Sequence, residues 1–106
     1  GVSAIEKFWP LHRAILELER ERNDRHRHPL YARYATPYPI CIGMLRAGTW
    51  ASSEVESLVA EGRLGIAIGE HPLAARRELE QTVARAAAQD PWLREHPPTV
   101  EWWGGT

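Results

Sequence analysis

Cysteine is almost missing from this chain. One thiol, Cys41, stands among 106 residues, which excludes an internal disulfide and fits a reducing compartment. Excess charge is missing too. Thirteen basic residues against fourteen acidic ones leave a net charge of −1, too little to steer the chain toward nucleic acid or an anionic membrane. No run approaches the ~18 consecutive apolar residues that cross a bilayer. No basic region followed by an apolar stretch opens the sequence, so no signal peptide is expected and a cytoplasmic location is. Gly1, Gly43, Gly48, Gly62, Gly65 and Gly69 are scattered, so no phosphate-cradling loop is expected. Five tryptophans are present, but they do not alternate with basic residues, which argues for core and interface rather than base stacking.

What remains is an ordinary globular composition, 43% hydrophobic and 25% charged, on the scale of one domain. For 12.0 kDa, surface scaling gives roughly 6,000 Å² exposed when folded against about 17,000 Å² unfolded, room for one modest core.

The pattern predicts helix, strand, strand, helix, strand. Ser3 with Glu6 three residues on reads as a capping box. Ile5, Phe8, Trp9, His12, Ile15 and Leu16 then fall on one stripe, with Pro10 expected to kink the helix. Glu17 to Arg25 is nearly all charge and reads as a solvated end. Residues 23–38 read as a loop. From Pro39 to Leu45 a strand is expected, with Ile40, Ile42 and Met44 on one face and Cys41, Gly43 and Leu45 on the other. Ala47-Gly48-Thr49 breaks it. Leu58 to Ile68 forms a second apolar file, with Glu61 and Arg63 on the opposite face. Pro72 fits the first position of a second helix, whose inner face would carry Leu73, Arg76, Leu79, Val83, Ala86 and Ala87. Asp90-Pro91-Trp92-Leu93 reads as a capped helical turn, and Thr99 to Trp103 as a short aromatic strand.

That order is a ferredoxin-like α+β sandwich, two helices on one face of an antiparallel sheet, with its first strand absent (α-β-β-α-β). The vacancy lies beside the last strand, which is then expected to slide against the hairpin or to pair with another molecule. The chain reads as one domain, 1–106, taken from a larger protein.

Its candidate chemistry is sparse. His26 and His28 sit two apart in a charged loop, but three or four ligands are needed for zinc, and neither Cys-x-x-Cys nor His-Glu-x-x-His accompanies them. His71 and His96 read as local hydrogen-bonders, His12 as a packed or interface residue. Cys41 falls in an apolar strand, where a thiol behaves as a small hydrophobe. Ser52-Ser53 lacks the Gly-x-Ser-x-Gly elbow, and Glu54 and Glu56 have no buried partner. No catalytic or metal-binding residue is expected.

Several segments together resemble the acetylornithine deacetylase / succinyl-diaminopimelate desuccinylase family of zinc amidohydrolases. Gly1-Val2-Ser3-Ala4-Ile5 is similar to its Gly-x-Asn-Ala-Ile helix start, and Ala47-Gly48-Thr49-Trp50 to its Gly-Gly turn. Glu61-Gly62-Arg63-Leu64-Gly65-Ile66 with Gly69-Glu70 resembles the strand entering its second lid helix. Asp90-Pro91-Trp92-Leu93 and Pro97-Pro98-Thr99-Val100-Glu101-Trp102 continue the likeness, which covers almost the whole chain in order.

The resemblance implies a lid that joins two subunits of a homodimer, with the zinc or cobalt ions and the catalytic glutamate in a separate domain. The parent would hydrolyse the amide of N-acyl amino acids; the lid alone would be inactive. Two departures stand out. Ser52-Ser53-Glu54-Val55 replaces the family's Asn and Pro after the turn, and Gly65 stands where many members carry a carboxylate-gripping arginine. Arg63, two residues earlier on the same face, can take that role through paired hydrogen bonds, with Ser52 as a second substrate contact. The alternative is a free-standing ferredoxin-like module that binds a small molecule or a protein on its open sheet.

Overall fold

The computed structural model describes residues 2–31, 33–34, 36–48 and 57–103. Helix α1 (Ala4–Arg25) begins where Ser3 turns extended, but its hydroxyl makes no capping bond; the Ser3 carbonyl closes the first turn by accepting from the Lys7 N–H at 3.2 Å. The expected capping box does not form. The helix continues through Pro10, whose missing N–H leaves the Glu6 carbonyl without its usual donor. A single 3₁₀ turn, Pro29–Tyr31, follows.

Strands β1 (Ile40–Ala47) and β2 (Leu58–Leu64) make an antiparallel hairpin. Helix α2 (Pro72–Ala88) starts with Pro72 in its first turn and the His71 imidazole accepting from the Leu73 N–H at 3.1 Å. The short α3 (Pro91–Glu95) is capped by Asp90, whose carboxylate accepts from the N–H groups of Trp92 and Leu93 at 2.9 and 3.1 Å. The fold class is α+β, helices against an antiparallel sheet, as the ferredoxin-like pattern requires.

The core gathers Leu11, Ile15 and Leu18 of α1, Ile40 of β1, Val83 and Ala87 of α2 and Leu93 of α3, with Leu64 and Val100 packed at its margin. The buried stripe of α1 therefore runs Ala4, Leu11, Ile15, Leu18 and Arg22. Ile5, Trp9 and Leu16, expected inside, lie on the neighbouring flank and are exposed, Trp9 by 58%. On α2 the expected inner face holds for Val83 and Ala87, which are buried, and for Leu79 and Ala86, which pack against the core, with Ala75 and Thr82 buried beside them; Leu73, expected inside, is 57% exposed.

The hairpin departs from simple alternation at one point. Ile42 pairs with Gly62 and Met44 with Glu61, so Gly43 is an extra residue, a bulge that exchanges the faces beyond it. Leu45, not Met44, then shares the helix-side face with Ile40 and Ile42. Gly62 is required opposite the bulge, because a Cβ there would collide with the Cys41 carbonyl oxygen. Gly48, with φ 78°, ends β1 where the turn was expected.

β2 stops at Leu64 rather than Ile68. Beyond it one backbone bond still crosses to the other strand, from the Gly65 N–H to the Pro39 carbonyl at 2.9 Å, and side chains take the next groups: Arg22 donates to the Gly65 carbonyl, and the Glu70 carboxylate accepts from the Ala67 N–H. Residues 99–103 form no strand. With no neighbouring strand to pair with, Val100 settles on the core and the Trp102 indole donates to Glu80 of α2 at 2.9 Å, while the Arg76 guanidinium lies 5.2 Å from the indole centre. Among the described residues the sheet has two strands, and no helix is long and apolar enough to cross a membrane.

Candidate functional site

Two polar arrangements stand out, one on the uncovered face of the hairpin and one beneath the helices. The cross-strand register puts Arg63 opposite Cys41, then Glu61 opposite Met44 and Val59 opposite Arg46, all on the face turned away from the helices. Arg63 and Cys41 are exposed. Arg46 and Glu61 form an ion pair at 3.5 Å. Arg63 has no hydrogen-bond or ion-pair partner among the described residues, so its fork of donors is free for a carboxylate. Ser52, its expected companion, lies outside the described residues, as do Ser53, Glu54 and Glu56.

The second arrangement was not foreseen. Arg22, placed in a solvated charged end by its neighbours, is 0% exposed. One guanidinium nitrogen donates to Glu70 Oε2 and Glu78 Oε1, both at 2.7 Å. The other donates to Glu70 Oε1 at 2.6 Å and to the Gly65 carbonyl at 3.0 Å. Arg25 donates to the second Glu78 oxygen at 2.7 Å, and His26 Nε2 stands 3.5 Å from Glu70 Oε2. The Glu70 hydrogen bond raises the Arg22 pKa, and the Arg22 hydrogen bond holds the Glu70 carboxyl below its ordinary value. Burial pushes the Glu78 carboxyl up, but hydrogen bonds from Arg22 and then Arg25 outweigh it and the net shift is downward.

One residue further, Asn23 donates to the Tyr38 carbonyl at 2.9 Å and accepts from the Tyr38 N–H at 2.8 Å, while Glu19 accepts from the Ile40 N–H at 2.8 Å. The end of α1 thus fixes the start of β1, the exit of β2 and the start of α2 at once. Its carboxylates and guanidinium groups are paired with one another, so this cluster positions the hairpin. The available clue was register: Arg22 stands four residues after Leu18 and seven after Ile15, on the apolar stripe.

Among the described residues no group of three or more His, Cys, Asp or Glu side chains is arranged to hold a metal ion. The donor set does not fit a zinc centre, and no chemical step through a metal is assigned to it. Asp90, besides capping α3, accepts from Lys7 at 2.7 Å; that bond is the main reason its carboxyl lies below the ordinary range.

No known protein-family model matches the chain. A curated relative does. N-formyl-4-amino-5-aminomethyl-2-methylpyrimidine deformylase of Halalkalibacterium halodurans is 32% identical over 111 residues, a match covering 100% of this chain and 24% of that protein. The chain spans about a quarter of the length of the relative it matches. It is similar, end to end, to a small domain of a larger amidohydrolase-like protein.

Proposed function

We propose that this chain is the non-catalytic lid and subunit-joining domain of a cytoplasmic, metal-dependent deacylase that hydrolyses the amide bond of a small N-acylated amine. The observation that carries this reading is the likeness of the whole chain to one segment of a deformylase four times as long. The ions and the catalytic carboxylate belong to the rest of the parent, where a metal supplies an activated water. The lid's share is to cover the substrate, exclude water and hold two subunits together. Alone it turns nothing over.

The relative's name makes N-formyl aminomethylpyrimidine the first substrate to test. Arg63 favours a second class, N-acyl amino acids of the acetylornithine or succinyl-diaminopimelate type, because its unpaired guanidinium suits a carboxylate. The full-length protein is assayed with the formylpyrimidine, N-acetylornithine and N-succinyl-diaminopimelate, with and without chelator. Chelator-sensitive hydrolysis of at least one is expected. If the amino-acid class is the substrate, Arg63→Ala raises KM by roughly tenfold or more, the worth of a lost charged hydrogen bond, with little change in kcat. Failure to hydrolyse any N-acyl amine refutes the proposal.

A further inference from the structure

Arg63 is aimed by its backbone alone. Its side chain is exposed and meets no hydrogen-bond or ion-pair partner among the described residues, so only β2 sets where its guanidinium lies. It pairs across the hairpin with Cys41, next to the Ile40–Leu64 pair whose members reach the helices' core. Two residues on, about 7 Å at the rise of a strand, comes Gly65. Both backbone groups of Gly65 are taken: the N–H donates to the Pro39 carbonyl at 2.9 Å, and the carbonyl accepts from Arg22 at 3.0 Å. The approach is close. A Cβ on Gly65 would come within 3.0 Å of the Pro39 carbonyl oxygen and of two Tyr38 backbone atoms. Arg22 in turn is held at both ends of its fork by Glu70, at 2.6 and 2.7 Å, and by Glu78 at 2.7 Å. Against apolar packing of similar volume a buried ion cluster adds little net stability; a forked guanidinium held by two carboxylates adds direction.

Resting on the reading of the chain as a deacylase lid whose Arg63 meets a substrate carboxylate, we propose that Arg22 is a positioning residue. Braced by Glu70, it fixes the exit of β2 through the Gly65 carbonyl and so fixes where the Arg63 fork meets the substrate. Gly65 shares the task, since a side chain there would push β2 away from Tyr38 and Pro39. The other strand is tied to the same turn of α1, because Asn23 and Glu19 hold the backbone of Tyr38 and Ile40. Both sides of the hairpin are thus set by one helical turn, a single cross-strand pair away from Arg63. Displacing that fork by a fraction of an ångström weakens its paired bonds to a carboxylate and leaves a substrate without one unaffected.

The test uses the full-length protein and two substrates that differ by one group, N-acetylornithine and its decarboxylated counterpart N-acetylputrescine. Arg22→Lys keeps a cation between the carboxylates but loses the fork. It should raise KM for N-acetylornithine roughly threefold to tenfold with kcat unchanged, and leave KM for N-acetylputrescine where it was. Gly65→Ala, made from the other side of the same contact, should give the same split, so the outcome does not depend on one variant folding. On an Arg63→Ala background neither change should raise KM further. Asp90→Ala, which loosens α3 instead, should alter neither KM. Equal losses on both substrates, or effects that add to that of Arg63→Ala, show a purely structural role and overturn the proposal. Hydrolysis confined to substrates without a carboxylate also overturns it and leaves the deacylase reading intact. No hydrolysis of any N-acyl amine removes both.

Discussion

Removing the Arg22 side chain should be among the most damaging single changes the chain can suffer. Arg22→Met keeps the aliphatic stem in the helix stripe but deletes four hydrogen bonds, three of them to carboxylates. Glu70 retains the Ala67 N–H and the more distant His26 Nε2, 3.5 Å away, and its side chain is 10% exposed, so its charge is left poorly compensated away from water. Glu78 fares better, at 25% exposed and still held by Arg25. Breaking a buried ion pair from one side costs about 3–5 kcal/mol, chiefly because the other charge is left uncompensated. That is a large share of the 5–15 kcal/mol that typically holds a domain, and it lowers the melting temperature by at least ~12 °C.

Urea unfolding followed by the emission of the five tryptophans measures the loss. The reasoning predicts an order as well: Arg22→Met worst, Glu70→Gln next, Glu78→Gln mildest. It also predicts that Glu70→Gln with Glu78→Gln, placed on the Arg22→Met background, recovers part of the stability by removing the stranded charges. A cost under about 1 kcal/mol for Arg22→Met, or no recovery in the triple variant, refutes this account of the cluster.

The same carboxylates set the acid limit: both are held below the unfolded value of about 4.3, so their contribution is complete above that pH and is lost as pH falls through their lower folded values. Acid titration of thermal stability should therefore be flat near neutrality and fall below about pH 4, with a shallower fall in Glu70→Gln; equal slopes would refute it. Gly62→Ala should destabilise by about 1–3 kcal/mol through collision with the Cys41 carbonyl, whereas Gly43→Ala, with nothing within 4 Å of the added carbon, should change stability little. Melting temperatures of the two variants side by side decide it. Asp90→Ala removes the α3 cap and the Lys7 bond together and should lower helical content measurably by circular dichroism, with a lower melting temperature.

Local chemistry was legible and distant chemistry was not. Pro72 and Asp90 announce their helices because a fixed φ and a capping carboxylate act within one turn, and both helices start where those residues put them. The flank of α1 that turns inward could not be read, because two apolar stripes lie about 100° apart and only packing chooses between them. Arg22 looked solvated because its partners Glu70 and Glu78 stand 48 and 56 residues away. The aromatic run at Thr99–Trp103 has strand composition, but strand is a property of a pair, and α2 offered the indole a hydrogen bond instead. At the candidate site, alternation placed Arg63 correctly on the open face. The extra residue at Gly43 carries no composition signal, so the faces of Met44 and Leu45 were exchanged.

That extra residue divides the hairpin into a root and an arm. The root, the Ile40–Leu64 rung, is anchored by Glu19, Asn23 and Arg22, and it shares the helices' core. Past Gly43 the arm reaches outward in a molecule 50 Å long and 25 Å wide, with Met44 and Leu45 about half exposed on opposite sides. Substitutions at the exposed positions of Met44 and Leu45 should therefore cost the domain less than substitutions at the Ile40 rung, which shares the helices' core.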